Sequence, residues 1–240
     1  MNNGSVVPGF GWLTSIGSKQ VFKHICDKYA LVYFGSVNQH RDEHVMVRGV
    51  TLSTSHRDKH YSVGNIQGHD VILLERTDTV FFPTKKREDY TWFILQVDLR
   101  NVDMPHTFMD SGHHDEAFYD NLFAKFARLS HVDRGVFEEY DPAFIRQFRV
   151  YAPPDGADSL PTFLSRDVAA ELARRFGHFD FEWYQDHLLI YSTGRPATVN
   201  LLERMIKAGV WLADEFNLTG PKKAASERDS PMQYPARRDY

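Results

Sequence analysis

The sequence predicts an α+β protein, with a mostly antiparallel sheet and helices packed on one face. Runs rich in Val, Ile, Thr, Tyr and Phe are separated by polar or Gly-containing stretches, as in an antiparallel meander. Other segments repeat apolar residues at helical spacing. The 240 residues are 42% hydrophobic and 14% aromatic, which suffices for a core of ordinary size. We therefore predict one α+β domain over residues 18–216, with a subdivision near residue 140 as the alternative.

The first part of the chain predicts a helix followed by a meander. Residues 1–17 are expected to be irregular. Ser18–Tyr29 should be helical, because its apolar residues fall on one stripe. Gln67 and Gly68 should form a tight turn between two strands. The predicted strands are Ala30–Val37, Val45–Thr54, His60–Ile66, Asp70–Thr77 and Tyr90–Leu99, with a further short strand after Pro105.

The second part alternates helices with short strands. Helices are predicted at Asp115–Leu129, after Asp141-Pro142, from Ser165 to Phe176 and at Ala197–Phe216, with a strand at Phe148–Ala152 and a hairpin around Gln185-Asp186. The last helix is apolar on two adjacent sides, which indicates burial against a sheet or a partner. Residues 217–240 are rich in charges and are predicted to be a disordered tail.

The pentapeptide His-Arg-Asp-x-His occurs twice, at His40–His44 and at His56–His60. Two histidines four apart would suit zinc on a helix. If Val45–Thr54 is one strand, however, the copies lie roughly 33 Å apart at about 3.3 Å per residue. The sequence therefore favours a polar loop and a hairpin tip, with Arg57, Asp58 and Lys59 in solvent. The alternative is a metal site built from one copy and a distant ligand, for which the candidates are His40, His44, His56, His60 and His69.

Two other clusters carry reactive groups. His113 and His114, with His106 nearby, form either a metal or acid/base group or simply the polar start of a helix. Cys26 is either a small buried hydrophobe or a nucleophile paired with His24. Nucleophile-elbow, dinucleotide-binding and paired CxxC motifs are absent from the sequence. We therefore assign no catalytic residue and no cofactor, and the sequence favours a non-enzymatic protein without deciding the question.

The net charge and the cysteine content limit which partners and which cellular compartment we expect. A net charge of −4 gives no reason to expect nucleic acid. A single cysteine allows no intrachain disulfide and fits a reducing cytoplasm. No signal peptide is recognisable, and no run approaches the roughly 18 apolar residues of a membrane-spanning helix. We expect a cytoplasmic protein, either free or peripheral to a membrane.

Four segments between Tyr29 and Ser192 carry a resemblance to a known family: SVGNIQGHDVILLERTD, FILQVDLRNVDMPHTFM, FRVYAPP and FDFEWYQDHLLIYS. This pattern resembles an uncharacterised bacterial family of soluble α+β domains, often found after membrane-spanning helices. The resemblance implies the fold and assigns no catalytic residue. The sequence as a whole predicts a non-enzymatic module that binds a protein or a membrane surface through the C-terminal helix. The alternative is a metal-dependent hydrolase that uses a histidine cluster.

Overall fold

The computed structural model describes residues 10–37, 47, 49–51, 56–80, 88–100, 102, 104–112 and 129–219. The helices of this part are α1 (Phe10–Tyr29), α2 (Pro142–Gln147), α3 (Leu160–Phe163), α4 (Arg166–Phe176) and α5 (Val199–Thr219), with 3-10 turns at Arg134–Phe137 and Ala157–Ser159. The strands are β1 (Val32–Gly35), β2 (Arg57–Ile66), β3 (His69–Val80), β4 (Glu88–Asp98), β5 (Thr107–Asp110), β6 (Ser130–His131), β7 (Arg149–Ala152), β8 (Asp180–Tyr184) and β9 (His187–Thr193).

All nine of these strands form one antiparallel sheet in the order β1-β2-β3-β4-β9-β8-β5-β7-β6. The predicted turn between β2 and β3 is confirmed, because Gln67 and Gly68 have φ angles of 52° and 90°, as a tight hairpin turn requires. Strands on both sides of residue 140 share this sheet. The predicted fold class, α+β with a large antiparallel sheet, is thus confirmed.

Helices α1, α4 and α5 lie on one face of the sheet, which we call the helix face. Residues of α1, α4 and α5 share a buried core with alternate residues of β3 and β4. Gly209 allows α5 to approach the sheet closely, since a Cβ there would lie 2.8 Å from Leu95. Both apolar sides of α5 are buried, including Leu202, Met205 and Leu212 at 0% exposure. The fold itself therefore uses the wide apolar surface that the sequence had left open to a partner.

The opposite face, which we call the second face, carries a separate buried apolar cluster. Alternate residues of the central strands line it, among them Ile72, Leu74 and Ile94. Val47 and Val50 lie in the same cluster and are 0% and 5% exposed. The central strands are therefore buried on both faces, although helices α1, α4 and α5 lie on only one of them.

The predicted boundaries of the first and last helices differ from the structure. Helix α1 begins at Phe10, so the expectation of irregular structure over residues 1–17 is wrong from Phe10 onward. The glycine, serine and threonine residues of this segment have low intrinsic helix propensity. Tertiary context commonly outweighs such a preference. At the other end α5 runs to Thr219, past the predicted start of the tail. Residues 220–240 and the predicted helix up to residue 128 lie outside the described residues.

The predicted strand Val45–Thr54 is also wrong where the structure describes it. Residues 49–51 form a bend and turn, and neither they nor Val47 belong to a strand. Gly49 has a φ of +100°, a conformation that strand residues do not adopt. The β-branched residues of this segment are explained instead by burial, because Val47 and Val50 lie in the apolar cluster of the second face. The assumption that one straight strand separates the two pentapeptides therefore fails.

Candidate functional site

A buried ion pair joins β2 and β3 on the second face. Asp58 and Arg76 lie opposite each other in the strand register. The guanidinium donates two hydrogen bonds of 2.8 Å to the two carboxylate oxygens, and the side chains are 3% and 0% exposed. The expectation that Asp58 lies in solvent at a hairpin tip is therefore wrong. The second pentapeptide instead enters β2, where alternation directs Asp58 into the protein.

Arg76 also holds the segment Val47–Thr51 against the sheet. Its guanidinium donates to the carbonyl oxygen of Val47 at 2.8 Å and to the hydroxyl of Thr51 at 3.3 Å. A buried charge is tolerated only when it is paired and its hydrogen bonds are satisfied. Arg76 meets this condition entirely with groups of the chain itself.

A second buried carboxylate, Glu182, holds the same segment from β8. One of its oxygens accepts a hydrogen bond from the backbone N–H of Val50 at 3.0 Å and another from the hydroxyl of Tyr191. The other oxygen lies 2.6 Å from Nε2 of His106, whose side chain is 19% exposed. Burial, reinforced by the charge of Glu182, raises the pKa of Tyr191 well above its ordinary value. Tyr191 therefore stays protonated and acts as a donor.

Gly49 allows the segment to lie directly on this pair. A Cβ at position 49 would stand 2.7 Å from the Glu182 carboxylate and would also meet the Tyr191 hydroxyl. The φ of +100° independently favours glycine. We call Thr51, Asp58, Arg76, His106, Glu182 and Tyr191 the polar clamp.

The polar clamp contains a chain of hydrogen bonds that could carry a proton. It runs from the buried hydroxyl of Tyr191 through Glu182 to the partly exposed ring of His106. Both oxygens of Glu182 are occupied by groups of the chain, and Arg76 is paired with Asp58. What this arrangement is seen to hold is the chain itself, at the backbone of Val47 and Val50 and the hydroxyl of Thr51.

The metal candidate His60 lies on the helix face, away from the polar clamp. Its Nδ1 is 2.7 Å from the hydroxyl of Tyr33, and its ring centroid is 4.9 Å from that of Phe22 in α1. Burial, followed by the nearby charges of Lys59 and Lys19, lowers the pKa of His60 to about 4. The ring is therefore neutral at physiological pH.

The structure separates the described metal candidates from one another. His69 pairs with Asp214 of α5, with Nε2 and Oδ1 2.7 Å apart. The β2–β3 register places Lys59 opposite Glu75 and Ile66 opposite His69, so His60 and His69 are roughly 20 Å apart at about 3.3 Å per residue. His56 precedes β2 at the far end of this hairpin.

The remaining metal candidates, His40 and His44, lie outside the described residues. Within the described part of the chain, no three or more His, Cys, Asp or Glu side chains form a group that could hold a metal ion. The histidine-based hydrolase stays a prediction for the first pentapeptide.

Cys26 is a buried residue of α1. It is 3% exposed, and its thiol donates a hydrogen bond to the hydroxyl of Ser62 at 3.2 Å. Burial raises the pKa of the thiol, so the nucleophilic thiolate is disfavoured. The structure supports the reading of Cys26 as a small buried hydrophobe.

The terminal strand β1 presents an exposed apolar surface. Val32 and Phe34 are 56% and 48% exposed and point to the second face, where the ring of Phe34 contacts that of Tyr61. Tyr33 points to the helix face, beneath Lys23, whose Nζ lies 5.9 Å from the ring centroid. Among the described strands, β2 is the only neighbour of β1. We call Val32–Gly35 with these exposed side chains the β1 edge.

The sequence reading gave neither the polar clamp nor the β1 edge. The sequence places His106 near His113 and His114, which lie outside the described residues, and gives no sign of its contact with Glu182. Glu182 and Tyr191 have the pattern of ordinary strand residues, because the hydrogen bond between their side chains, across β8 and β9, appears only in the folded sheet. For the β1 edge, the one available signal is the absence of a charged residue from Val32, Tyr33 and Phe34.

Comparisons with known proteins give a similarity of fold. No protein-family model matches the chain, and no curated protein matches it. No helix in the described ranges is long and apolar enough to cross a lipid bilayer. The crystal structure of the mycobacterial trehalose monomycolate transport factor A, TtfA, superposes with a TM-score of 0.58 at 11% sequence identity, covering 87% of this chain and 99% of that one. The chain thus shares its fold with a transport factor.

Proposed function

We propose that this protein is a non-enzymatic interaction module that serves a transport assembly by binding another protein. In this proposal it is a bacterial protein of the cytoplasm that works at the periphery of a membrane. The fold shared with TtfA, a transport factor by name, supports the association with transport. The exposed β1 edge supports the binding of a partner.

The β1 edge carries the proposal. Neighbouring exposed apolar side chains on a folded domain commonly mark an interaction site. Among the side chains whose exposure the structure describes, three large hydrophobic ones are exposed, and two of them, Val32 and Phe34, lie on the same side of one strand. The third, Leu218, is 79% exposed near the end of α5.

This proposal moves the contact surface away from the C-terminal helix. The apolar sides of α5 pack against α1 and the sheet, and so are not available to a partner while the domain is folded. Apart from Leu218, the exposed side chains of this helix include the charged residues Lys207 and Asp214. The proposed binding therefore depends on β1.

The double substitution Val32→Lys/Phe34→Lys tests the proposal, with Leu218→Lys as the matched control. All three side chains are exposed, so each variant should keep the fold, which far-UV circular dichroism and the melting temperature would verify. We expect components of a transport assembly, identified by affinity purification and mass spectrometry from cells, to be lost from the double variant and retained by Leu218→Lys. Equal recovery of these components from both variants would contradict the proposal.

A further inference from the structure

We infer that the β1 edge binds an extended, acidic segment of its partner protein as an added strand of the sheet. This inference rests on the proposed function, because it names the kind of partner that the same surface recognises.

Strand β1 lies at the end of the described part of the sheet. Alternate residues of a terminal strand direct their backbone N–H and C=O groups away from the sheet, where another strand can pair with them. Addition of a strand supplies main-chain hydrogen bonds, while the alternate side chains provide specificity. The described part of the sheet ends here with three successive large side chains, Val32, Tyr33 and Phe34.

Several lysines lie on the helix face of this edge. Lys23 lies over the ring of Tyr33. Lys19 and Lys59 are close enough to His60, the partner of Tyr33, to lower its pKa. The half-buried carboxylate of Glu75 lies opposite Lys59 in the strand register and offsets one of these three lysines. The helix face beside β1 is therefore basic.

The two faces together specify a pattern for the added strand. Side chains alternate between the faces of a sheet, so every second residue of the segment would lie beside Val32 and Phe34 and the others beside Tyr33 and Lys23. Neighbouring cross-strand pairs are favourable when both side chains are apolar or when their charges are opposite. The matching segment thus alternates apolar with acidic residues.

The same features argue against two other occupants. A second copy of this chain would offer Val32–Gly35, which has no acidic residue, and would bring like charges together. A lipid surface offers no backbone N–H and C=O groups with which a strand could pair. An acidic strand from another protein satisfies both the backbone and the lysines.

Titration of two synthetic peptides into the ¹⁵N-labelled full-length protein tests the inference. One peptide of about eight residues, an ordinary strand length, alternates Val and Glu, and its control alternates Val and Lys. We expect the Val/Glu peptide to shift the amide signals of residues 32–35 and to slow their hydrogen exchange. The Val/Lys peptide should bind at least about tenfold more weakly, because its lysines would face the lysines of the helix face.

Two variants sharpen this measurement. Val32→Asp/Phe34→Asp should weaken binding of the Val/Glu peptide by at least about tenfold, because it removes the apolar contacts and adds charge of the peptide's own sign. Lys23→Glu should reduce or reverse the preference between the two peptides. No binding, shifts that map elsewhere, equal binding of both peptides, or binding only to vesicles of anionic phospholipid would overturn the inference. If the peptides fail while the cellular partner is still lost from Val32→Lys/Phe34→Lys, the inference falls and the proposed function stands. If the peptides bind but no cellular partner is lost, the proposed function falls.

Discussion

Removal of Asp58 should be among the most damaging single changes to this fold. Asp58→Ala deletes both carboxylate acceptors of Arg76 and leaves a guanidinium of 0% exposure with only Val47 and Thr51 as partners. Breaking a buried pair by removing one partner costs about 3–5 kcal/mol. Whole domains are stable by about 5–15 kcal/mol, so the variant should lose about a fifth or more of the free energy of unfolding. In a chain of this size, the melting temperature should fall by roughly 10 °C.

Urea denaturation measures this loss directly. Unfolding would be followed by circular dichroism and by tryptophan fluorescence, and coincident curves would justify a two-state free energy. The double variant Asp58→Ala/Arg76→Met removes both charges and keeps an apolar side chain of similar length on β3. We expect it to be more stable than Asp58→Ala alone, because no buried charge is left unpaired.

A small loss would refute this reasoning. If Asp58→Ala lowers the free energy of unfolding by less than about 1 kcal/mol, the pair behaves like an exposed ion pair. Burial would then not make the loss of one partner costly. The same conclusion follows if Asp58→Ala/Arg76→Met is no more stable than Asp58→Ala. Lys28→Ala breaks the exposed pair with Glu203, whose Nζ–Oε1 distance is 2.6 Å, and serves as the comparison that should change stability little.

Three further predictions concern the clamp and the helix face. Gly49→Ala should lower the melting temperature more than Gly194→Ala, because both positions have positive φ but only a Cβ at 49 meets other atoms; equal losses would contradict this. The pKa of His60 is lowered from 6.5 to about 4, so the folded state binds fewer protons and stability should fall by up to about 3 kcal/mol as pH drops through that window. His60→Gln should remove this dependence, and an unchanged slope of unfolding free energy against pH would refute it. The thiol of Cys26 should react with a thiol reagent only after urea unfolds the protein, and rapid labelling of the native state would show that it is not buried.

Much of the fold could be predicted because its signals are local. The turn at Gln67-Gly68, the Asp141 cap before Pro142 and the Ser165 cap each depend on residues within a few positions, and all three are present in the structure. The amphipathic pattern of the last helix likewise predicted its burial. These features follow from backbone geometry and side-chain periodicity, which a single sequence displays.

The segment between the pentapeptides shows where local signals fail. Its β-branched residues indicated a strand, yet Val47 and Val50 are buried outside any strand and Gly49 has a φ of +100°. Burial on a face selects such residues whether or not the backbone is extended. Only the contacts with Arg76 and Glu182 show why this backbone turns.

The sequence by itself determined the α+β class, most of the described strands and helices, and the apolar sides that each would bury. The tertiary structure alone decided which polar groups meet. Asp58 and Arg76 are 18 residues apart, and Val50 and Glu182 are 132 apart, so no spacing could reveal either contact. It also decided that β1 lies at the end of the sheet, because the order of strands is fixed by long-range pairing. Helix and hairpin patterns are encoded by neighbours in the chain, whereas a site is created by side chains that only folding brings together.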